Sequence, residues 1–389
     1  MHAFAMSGSA ESEESVSKVT PDAEEMDGWS QLMAVLDKVP FMSGLKRDVA
    51  SLTRLVYRRR LGRIVAIGHA GTGRSQLLNA LLGGAVLQVG GAGQLEPGQW
   101  AWVDAGGKRM AWMELDANGE VLSAQTRRAL DREPPDVVLV MATAEEVERG
   151  AGQVLEAAIR VLGRRDPAPR LIPLLTQVDR IDPAEAAAPF PVGKRDAIRA
   201  ATKAFQRQLD EANLVADPVR AIATPNASER SLGLGAYGLV ELRERLADEM
   251  PEEAQLESAR ALEAPKARRR IAQGLVQSCS TLSITVALAP VPFSDLAVIA
   301  PLQGMMVTSV AYVSGRPWDR KTFGEWAASV GLVGGAGIGL RAITRQIVKF
   351  VPGAGSIVSA SVAGAGTLGI GRSAIGYFLG DPALPAPAP

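Results

Sequence analysis

The apolar positions of this chain change period along its length, and each change marks an element. Trp29 to Lys38 and Leu45 to Arg60 carry apolar residues at helical spacing, with Leu45, Val49, Leu52 and Val56 on one side. Arg63-Ile-Val-Ala-Ile67 reads as a short β-branched strand that runs into glycines, and Gln76 to Leu82 as a helix. Gln99 to Asp104 and Arg109 to Leu115 read as two strands around a hairpin turn at Ala105-Gly-Gly107. Three more apolar runs follow, Asp136 to Met141, Leu171 to Leu175 and Val219 to Ala223, separated by helical patterns over 146–163, 193–213 and 235–249. Strands alternating with helices predict an α/β fold, a mostly parallel six-stranded sheet with helices on both faces and one antiparallel hairpin near its start.

Charge divides the chain in two. Residues 271–389 hold 11 charged side chains and residues 1–270 the other 73. The boundary falls just after Lys266-Ala-Arg-Arg-Arg270. Lys+Arg and Asp+Glu balance at 42 each, which argues against a globally basic nucleic-acid binder, so no nucleic-acid partner is expected. One cysteine, Cys279, leaves no intramolecular disulfide and no multi-cysteine metal site; two histidines, His2 and His69, argue against a histidine-rich metal centre. This usage fits a cytoplasmic protein. From Glu11 to Asp27 the chain carries seven acids against Lys18, with no basic segment leading into an apolar run. Residues 1–28 are expected to be a disordered acidic tail rather than a secretory leader. The closing Pro/Ala-rich stretch, 381–389, is expected to be a second tail.

Gly68-His-Ala-Gly71-Thr-Gly73-Arg74-Ser75 follows the first strand and opens a helix. It matches the phosphate-loop pattern G-x-x-x-x-G-K-[ST] except that Arg74 stands at the lysine. Glycines let backbone N–H groups point into such a loop, and the helix start adds partial positive charge. Arg74 supplies a cation, but a longer, planar and forked one. The plain alternative is a tight strand-to-helix turn with no ligand.

Gly73-Arg-Ser-Gln-Leu-Leu-Asn-Ala-Leu-Leu-Gly83 resembles the corresponding stretch of Era-like GTPases of the translation-factor class, over roughly residues 61–250. The resemblance implies a six-stranded GTPase fold whose second and third strands form the hairpin. It also implies roles. Gly68, Gly71, Gly73 and Arg74 would hold phosphates, and Ser75 and Asp116 would serve Mg²⁺. Asp116-Ala-Asn-Gly119 stands where the family has D-x-x-G, so the Gly119 N–H would reach the γ-phosphate. Asp104-Ala-Gly-Gly107 has the same spelling but lies at the hairpin turn, and Asp116 is preferred; its plain alternative is a turn residue. Thr176-Gln177-Val178-Asp179 follows the fifth strand, where the family reads guanine; Gln177 would lie along the base and Asp179 would accept from its N1 and N2. Thr224-Pro-Asn226 stands at a weaker base-contacting motif.

Three departures from that pattern matter. Gln177 replaces a lysine. Residues 76–125 contain no threonine to close on metal and γ-phosphate. Glu120 follows the D-x-x-G stretch, where a carboxylate repels a triphosphate. No residue is assigned to catalysis, and weak intrinsic GTP hydrolysis is expected.

Behind the boundary, Ile271–Ser294, Leu296–Gly315 and Phe350–Gly371 are uncharged runs of 24, 20 and 22 residues. Their lengths suit membrane spans, but the first is rich in Ser, Thr and Gln and the third in Gly, Ala and Ser. Ala289-Pro-Val-Pro-Phe-Ser-Asp295, Leu302-Gln303, Val351-Pro-Gly-Ala-Gly355 and Ala363-Gly-Ala-Gly-Thr-Leu-Gly-Ile370 resemble the YcjF-type hydrophobic domain, often fused behind Era-like domains. That implies an all-helical, membrane-associated module. Lys266, Arg268, Arg269 and Arg270 would favour an anionic lipid surface at about 1 kcal/mol each, and Arg341, Arg345 and Lys349 would form a second stripe. A soluble helical bundle with solvated basic faces is the competing reading.

The expected organisation is a tail at 1–28, a helical lead-in at 29–60, a GTPase-like domain at 61–250, a helical hydrophobic domain at 251–380 and a tail at 381–389. The expected ligands are GTP or GDP with Mg²⁺. The expected partners are an anionic membrane surface, at the inner face of the membrane, or a protein, including a second copy of the chain. The competing function is a catalytically inactive scaffold with a degenerate pocket.

Overall fold

The computed structural model describes residues 52, 55–56, 58–84, 98–118, 122–163, 167–183, 188–225, 235–288, 299–317, 320–333 and 356–380. Both tails, most of the 29–60 lead-in, Gly119, Glu120, Asn226, Pro290 to Asp295, and the stripe at Arg341, Arg345 and Lys349 lie outside them.

Six strands form one sheet: β1 Arg63–Gly68, β2 Ala101–Asp104, β3 Arg109–Asp116, β4 Val137–Thr143, β5 Arg170–Thr176 and β6 Arg220–Ala221. Their order is β2-β3-β1-β4-β5-β6. Only the β2–β3 pair is antiparallel; the other four pairings are parallel. The hairpin turn is closed by the Ala105 N–H on the Lys108 carbonyl and the Gly107 N–H on Asp104 Oδ1. This is the mostly parallel α/β architecture expected from the alternating pattern, with the hairpin as its second and third strands as the family resemblance implied.

The strands at the centre are apolar throughout because both faces are covered. Ile64 to Ile67 and Val137 to Val140 are fully buried. One face of the sheet packs on α2 (Ala124–Arg132), α3 (Ala144–Glu148), α4 (Gly152–Leu162) and α5 (Val192–Glu211), through Leu130, Val147, Val154, Ala158, Ile198 and Phe205. α1 (Arg74–Leu82), α6 (Leu239–Glu249) and α7 (Glu252–Ala261) complete the unit, and Leu77, Leu78, Leu81, Leu242, Leu246 and Leu256 are all fully buried.

Three features differ from the sequence reading. Ser123 caps a helix, α2, that the pattern did not suggest; its hydroxyl accepts from the Thr126 N–H at 3.0 Å. The helix expected over 146–163 is two helices, broken where Gly150 takes φ +86°, with a Thr143–Glu146 capping box starting α3. The compact unit that holds the sheet also runs on to Ala264, past the boundary expected at 250. α7 packs beside β3, where Arg109 faces Glu257 at 3.6 Å and Gly62 lies against Ser258 and Met250.

The second unit is helical: α8 (Pro265–Leu288), α9 (Ala300–Ser314), α10 (Arg320–Val333) and α11 (Ser356–Leu379). Small residues let α8 and α11 approach closely. A Cβ on Gly371 would lie 2.4 Å from a Val276 methyl, and one on Gly364 would lie 2.3 Å from Ile284. A buried polar chain crosses the bundle: Gln303 Nε2 donates to Thr367 Oγ1, which donates to Ser283 Oγ, each at 2.9 Å. Cys279 is fully buried, and burial pushes its thiol up to about 12. Arg268 donates to the Ser314 carbonyl, and Arg269 to the carbonyls of Leu379 and Gly380. Two residues of the basic cluster thus cap the C-terminal ends of α9 and α11, where free carbonyls gather. Among the described residues no helix is long and apolar enough to cross a membrane.

Candidate functional site

The loop at 68–75 joins the end of β1 to the start of α1. Gly71 and Gly73 take φ +89° and +93°, a backbone that L side chains rarely adopt. A Cβ at either would meet nothing within 4 Å, so the loop curls beside open space. α1 begins on Gly73 with no side-chain cap and no acidic residue in its first turn. Its first N–H groups therefore have no capping side chain of their own. The loop's back is tied down. Thr72, 2% exposed, donates through Oγ1 to the His69 carbonyl at 2.9 Å. His69 contacts Glu146 Oε1 at 2.9 Å through Nδ1 and Gln153 Oε1 at 3.0 Å through Nε2. Gly68 has no room for a side chain, since a Cβ would lie 2.6 Å from Thr72 Oγ1 and 3.0 Å from the Met141 carbonyl.

The strand register brings acids to this loop. Gly68 pairs with Asp116 and Ala66 with Glu114 across β1 and β3. Period-two alternation then sets Trp112, Glu114 and Asp116 on one face. Arg74 folds back among them. Its Nη1 donates to the carbonyls of Gly68 and Leu115, the latter at 2.7 Å. Its Nε lies 3.6 Å from Glu114 Oε2 and its Nη2 3.6 Å from Asp116 Oδ2. Ser75 Oγ donates to Glu114 Oε1 at 2.8 Å, and Trp112 Nε1 reaches the same oxygen at 3.3 Å. Asp116 Oδ1 accepts from the Asn118 N–H at 2.9 Å, a turn-stabilising bond.

Ser75, Glu114 and Asp116 offer the hard oxygens that Mg²⁺ takes. In this arrangement they do not fit it. A guanidinium already compensates both carboxylates, and the serine hydroxyl points its proton at Glu114. No group of three or more His, Cys, Asp or Glu side chains suited to a metal occurs among the described residues.

The second half of the site follows β5. Gln177 sits at φ +55°, and its Nε2 donates to the Gly71 carbonyl, which ties the Thr176–Asp179 turn to the loop. Val178 to Arg180 form one turn of 3₁₀-helix. The Asp179 carboxylate accepts no hydrogen bond among the described residues. Lys194 on α5, fully buried, anchors this turn from behind: Nζ donates to the Asp179 carbonyl at 2.6 Å and the Pro183 carbonyl at 3.0 Å, and sits 4.7 Å from the Phe190 ring centre. Burial pushes its ammonium below the ordinary lysine value, while Asp179 and Asp182 pull the other way. Gln76 at the start of α1 donates to the Thr224 carbonyl, which brings the 224–225 segment to the same end of the sheet.

The structure thus gathers Gly68, Gly71, Gly73, Arg74, Ser75 and Asp116 at one place, and Gln177 and Asp179 beside it. It also gathers Glu114, Lys194 and the His69–Glu146–Gln153 cluster, which the sequence reading passed over. The signal for Glu114 was a lone acid inside the apolar run Trp112-Met-Glu-Leu115.

No family model matches the chain, and no curated protein matches it. Solved structures similar to it include a variant of Era from Aquifex aeolicus bound to GDP.AlF4- (TM-score 0.32, 14% identity, covering 60% of this chain and 69% of that one). Another is Era in complex with MgGDPNP and a segment of 16S ribosomal RNA (TM-score 0.34, 16% identity, covering 58% and 68%). A third is the cytosolic domain of the T. maritima FeoB iron transporter in its GMPPNP form (TM-score 0.29, 12% identity, covering 81% and 98%). The strand order, not these likenesses, carries the fold.

Proposed function

We propose that the sheet unit binds a guanine nucleotide, with its phosphates in the 68–75 loop and its base at Asp179. The observation that carries this reading is the link between the two halves: an open glycine loop on an uncapped helix start is joined through Gln177 to a turn whose carboxylate accepts no hydrogen bond among the described residues. Gly71 and Gly73 let the backbone approach the phosphates, and Asp179 accepts from the base, positioned by the buried Lys194. Gly119, just beyond the described residues, is the remaining backbone donor of the reading. Phosphoryl transfer depends on positioning and charge stabilisation, and the groups that would supply these are engaged elsewhere, so hydrolysis is slow. Nucleotide state is read out by the helical unit, toward a membrane surface or a protein partner.

One observation favours a second reading, a scaffold with an empty pocket. Arg74 and Ser75, the loop's cation and hydroxyl, are both satisfied inside the protein. Nucleotide content separates the two. The full chain is purified, denatured and its supernatant chromatographed. The first reading expects GDP or GTP, lost in Asp179→Ala. No nucleotide, together with no binding of a fluorescent GDP analogue, leaves the scaffold.

A further inference from the structure

Among the described residues, Glu114 is the side chain that engages both functional groups of the loop. Oε1 takes the Ser75 hydroxyl at 2.8 Å, and Oε2 faces Arg74 Nε at 3.6 Å. It is 9% exposed, and the Trp112 indole N–H holds Oε1 from the strand itself at 3.3 Å. Its backbone is held beside the loop, since Glu114 is paired to Ala66 in the β1–β3 ladder. A polyanion entering the loop needs what Glu114 already has, a cation and a hydroxyl donor. It also meets a negative charge there.

We propose that Glu114 is a built-in competitor for the nucleotide. Its carboxylate occupies the loop's own anion-binding groups and sets the nucleotide affinity low. The proposal rests on the nucleotide reading above and deepens it by naming the residue that limits affinity. Two features point to charge rather than shape as the operative property. Arg74 bonds the Gly68 and Leu115 carbonyls regardless of Glu114, so its backbone anchor survives neutralisation. A glutamine at 114 keeps an oxygen for Ser75 and Trp112, while its amide NH2, a donor, stands where Oε2 faced Arg74 Nε, so the competing charge and its hold on the guanidinium are removed together.

The test uses the full chain and a fluorescent GDP analogue, with unlabelled GDP, GTP and ATP as competitors. Glu114→Gln should tighten GDP binding by at least about tenfold, a lower bound, since removing a unit charge about 4 Å from a phosphate at the effective dielectric of a partly buried site corresponds to roughly several hundred-fold before screening and rearrangement. Glu114→Asp, which keeps the charge, should stay as weak as wild type; a purely structural role would give the opposite order. Glu114→Ala is the second neutral variant should the glutamine fail to fold, with near-UV circular dichroism as the check on folding. If wild type binds and the folded neutral variants bind no better, the competitor role is overturned and the pocket reading stands. If wild type and every variant bind no nucleotide at millimolar concentration, both are overturned together.

Discussion

Gly73→Ala separates a phosphate seat from a mere turn. Gly73 lies at φ +93°, ψ +26°, and caps the start of α1. An L residue in a left-handed conformation costs about 1–2 kcal/mol. No collision adds to this, because a methyl there would meet nothing within 4 Å. In a unit of this size the loss lowers the melting temperature by about 2–8 °C. The same methyl points into the hollow where phosphates are proposed to sit, so nucleotide affinity should fall much further than stability. Gly68→Ala is the contrasting control. Its Cβ would press on Thr72 Oγ1 and the Met141 carbonyl, 2.6 and 3.0 Å away, and destabilise from within the core. The assay pairs denaturant unfolding, followed by tryptophan fluorescence, with titration of a fluorescent GDP analogue. Two results refute the reasoning: unchanged stability, which denies the positive φ, or unchanged nucleotide binding, which denies the seat.

Two further predictions concern what holds each unit together. Asp217 is buried and takes two bonds from Arg245, at 2.5 and 2.9 Å. Asp217→Asn should cost about 2–3 kcal/mol, less than the loss of a fully buried pair because Arg245 is partly exposed and keeps Glu249 at 2.6 Å. The Arg245 hydrogen bonds hold the Asp217 carboxyl below its ordinary value. Its contribution is therefore present above the unfolded value of about 3.9 and is lost as pH falls through the lower folded value. The gap between wild type and variant in urea melts should be full at neutral pH and shrink below pH of about 4; a gap that persists in acid contradicts this. In the helical unit, Gly371→Ala should destabilise even though alanine favours helix by about 1 kcal/mol, because its Cβ would lie 2.4 and 2.5 Å from the two Val276 methyls. Adding Val276→Ala should recover the loss in a thermal melt. A Gly371→Ala protein more stable than wild type would mean that α8 and α11 do not pack this closely.

The central sheet was legible because its strands are buried on both faces and so spell unbroken apolar runs, as in Arg63–Gly68 and Val137–Thr143. The loop was legible because glycines at 71 and 73 and the adjoining Arg-Ser are local in sequence. α2 was harder to read because its buried face, Thr126 and Leu130, holds a single large apolar residue, so the helix is marked by its polar side rather than by an apolar run. α7 read as part of the helical half because composition does not say which surface a helix covers. The basic run at 266–270 read equally as a membrane flank or a solvated face; that Arg268 and Arg269 donate to carbonyls at helix ends more than 40 residues away in the chain was not legible. A distant acceptor leaves no trace in local charge.

The same limit explains how Arg74 looked in sequence. Alone, an arginine at the loop's cation position reads as a damaged motif, and an acid within Trp112-Met-Glu-Leu115 reads as an oddity of a strand. The β1–β3 register sets Glu114 beside the strand that feeds the loop, and Arg74, the first residue of α1, folds back to within 3.6 Å of it. Each then supplies a reason for the other. A buried carboxylate needs a cation, and a guanidinium, with its donors spread over a planar fork, reaches two carbonyls and two acids at once where a compact ammonium would have to choose. The departure from the phosphate-loop pattern is therefore better understood as one paired feature of β3 and the loop than as the decay of a single position.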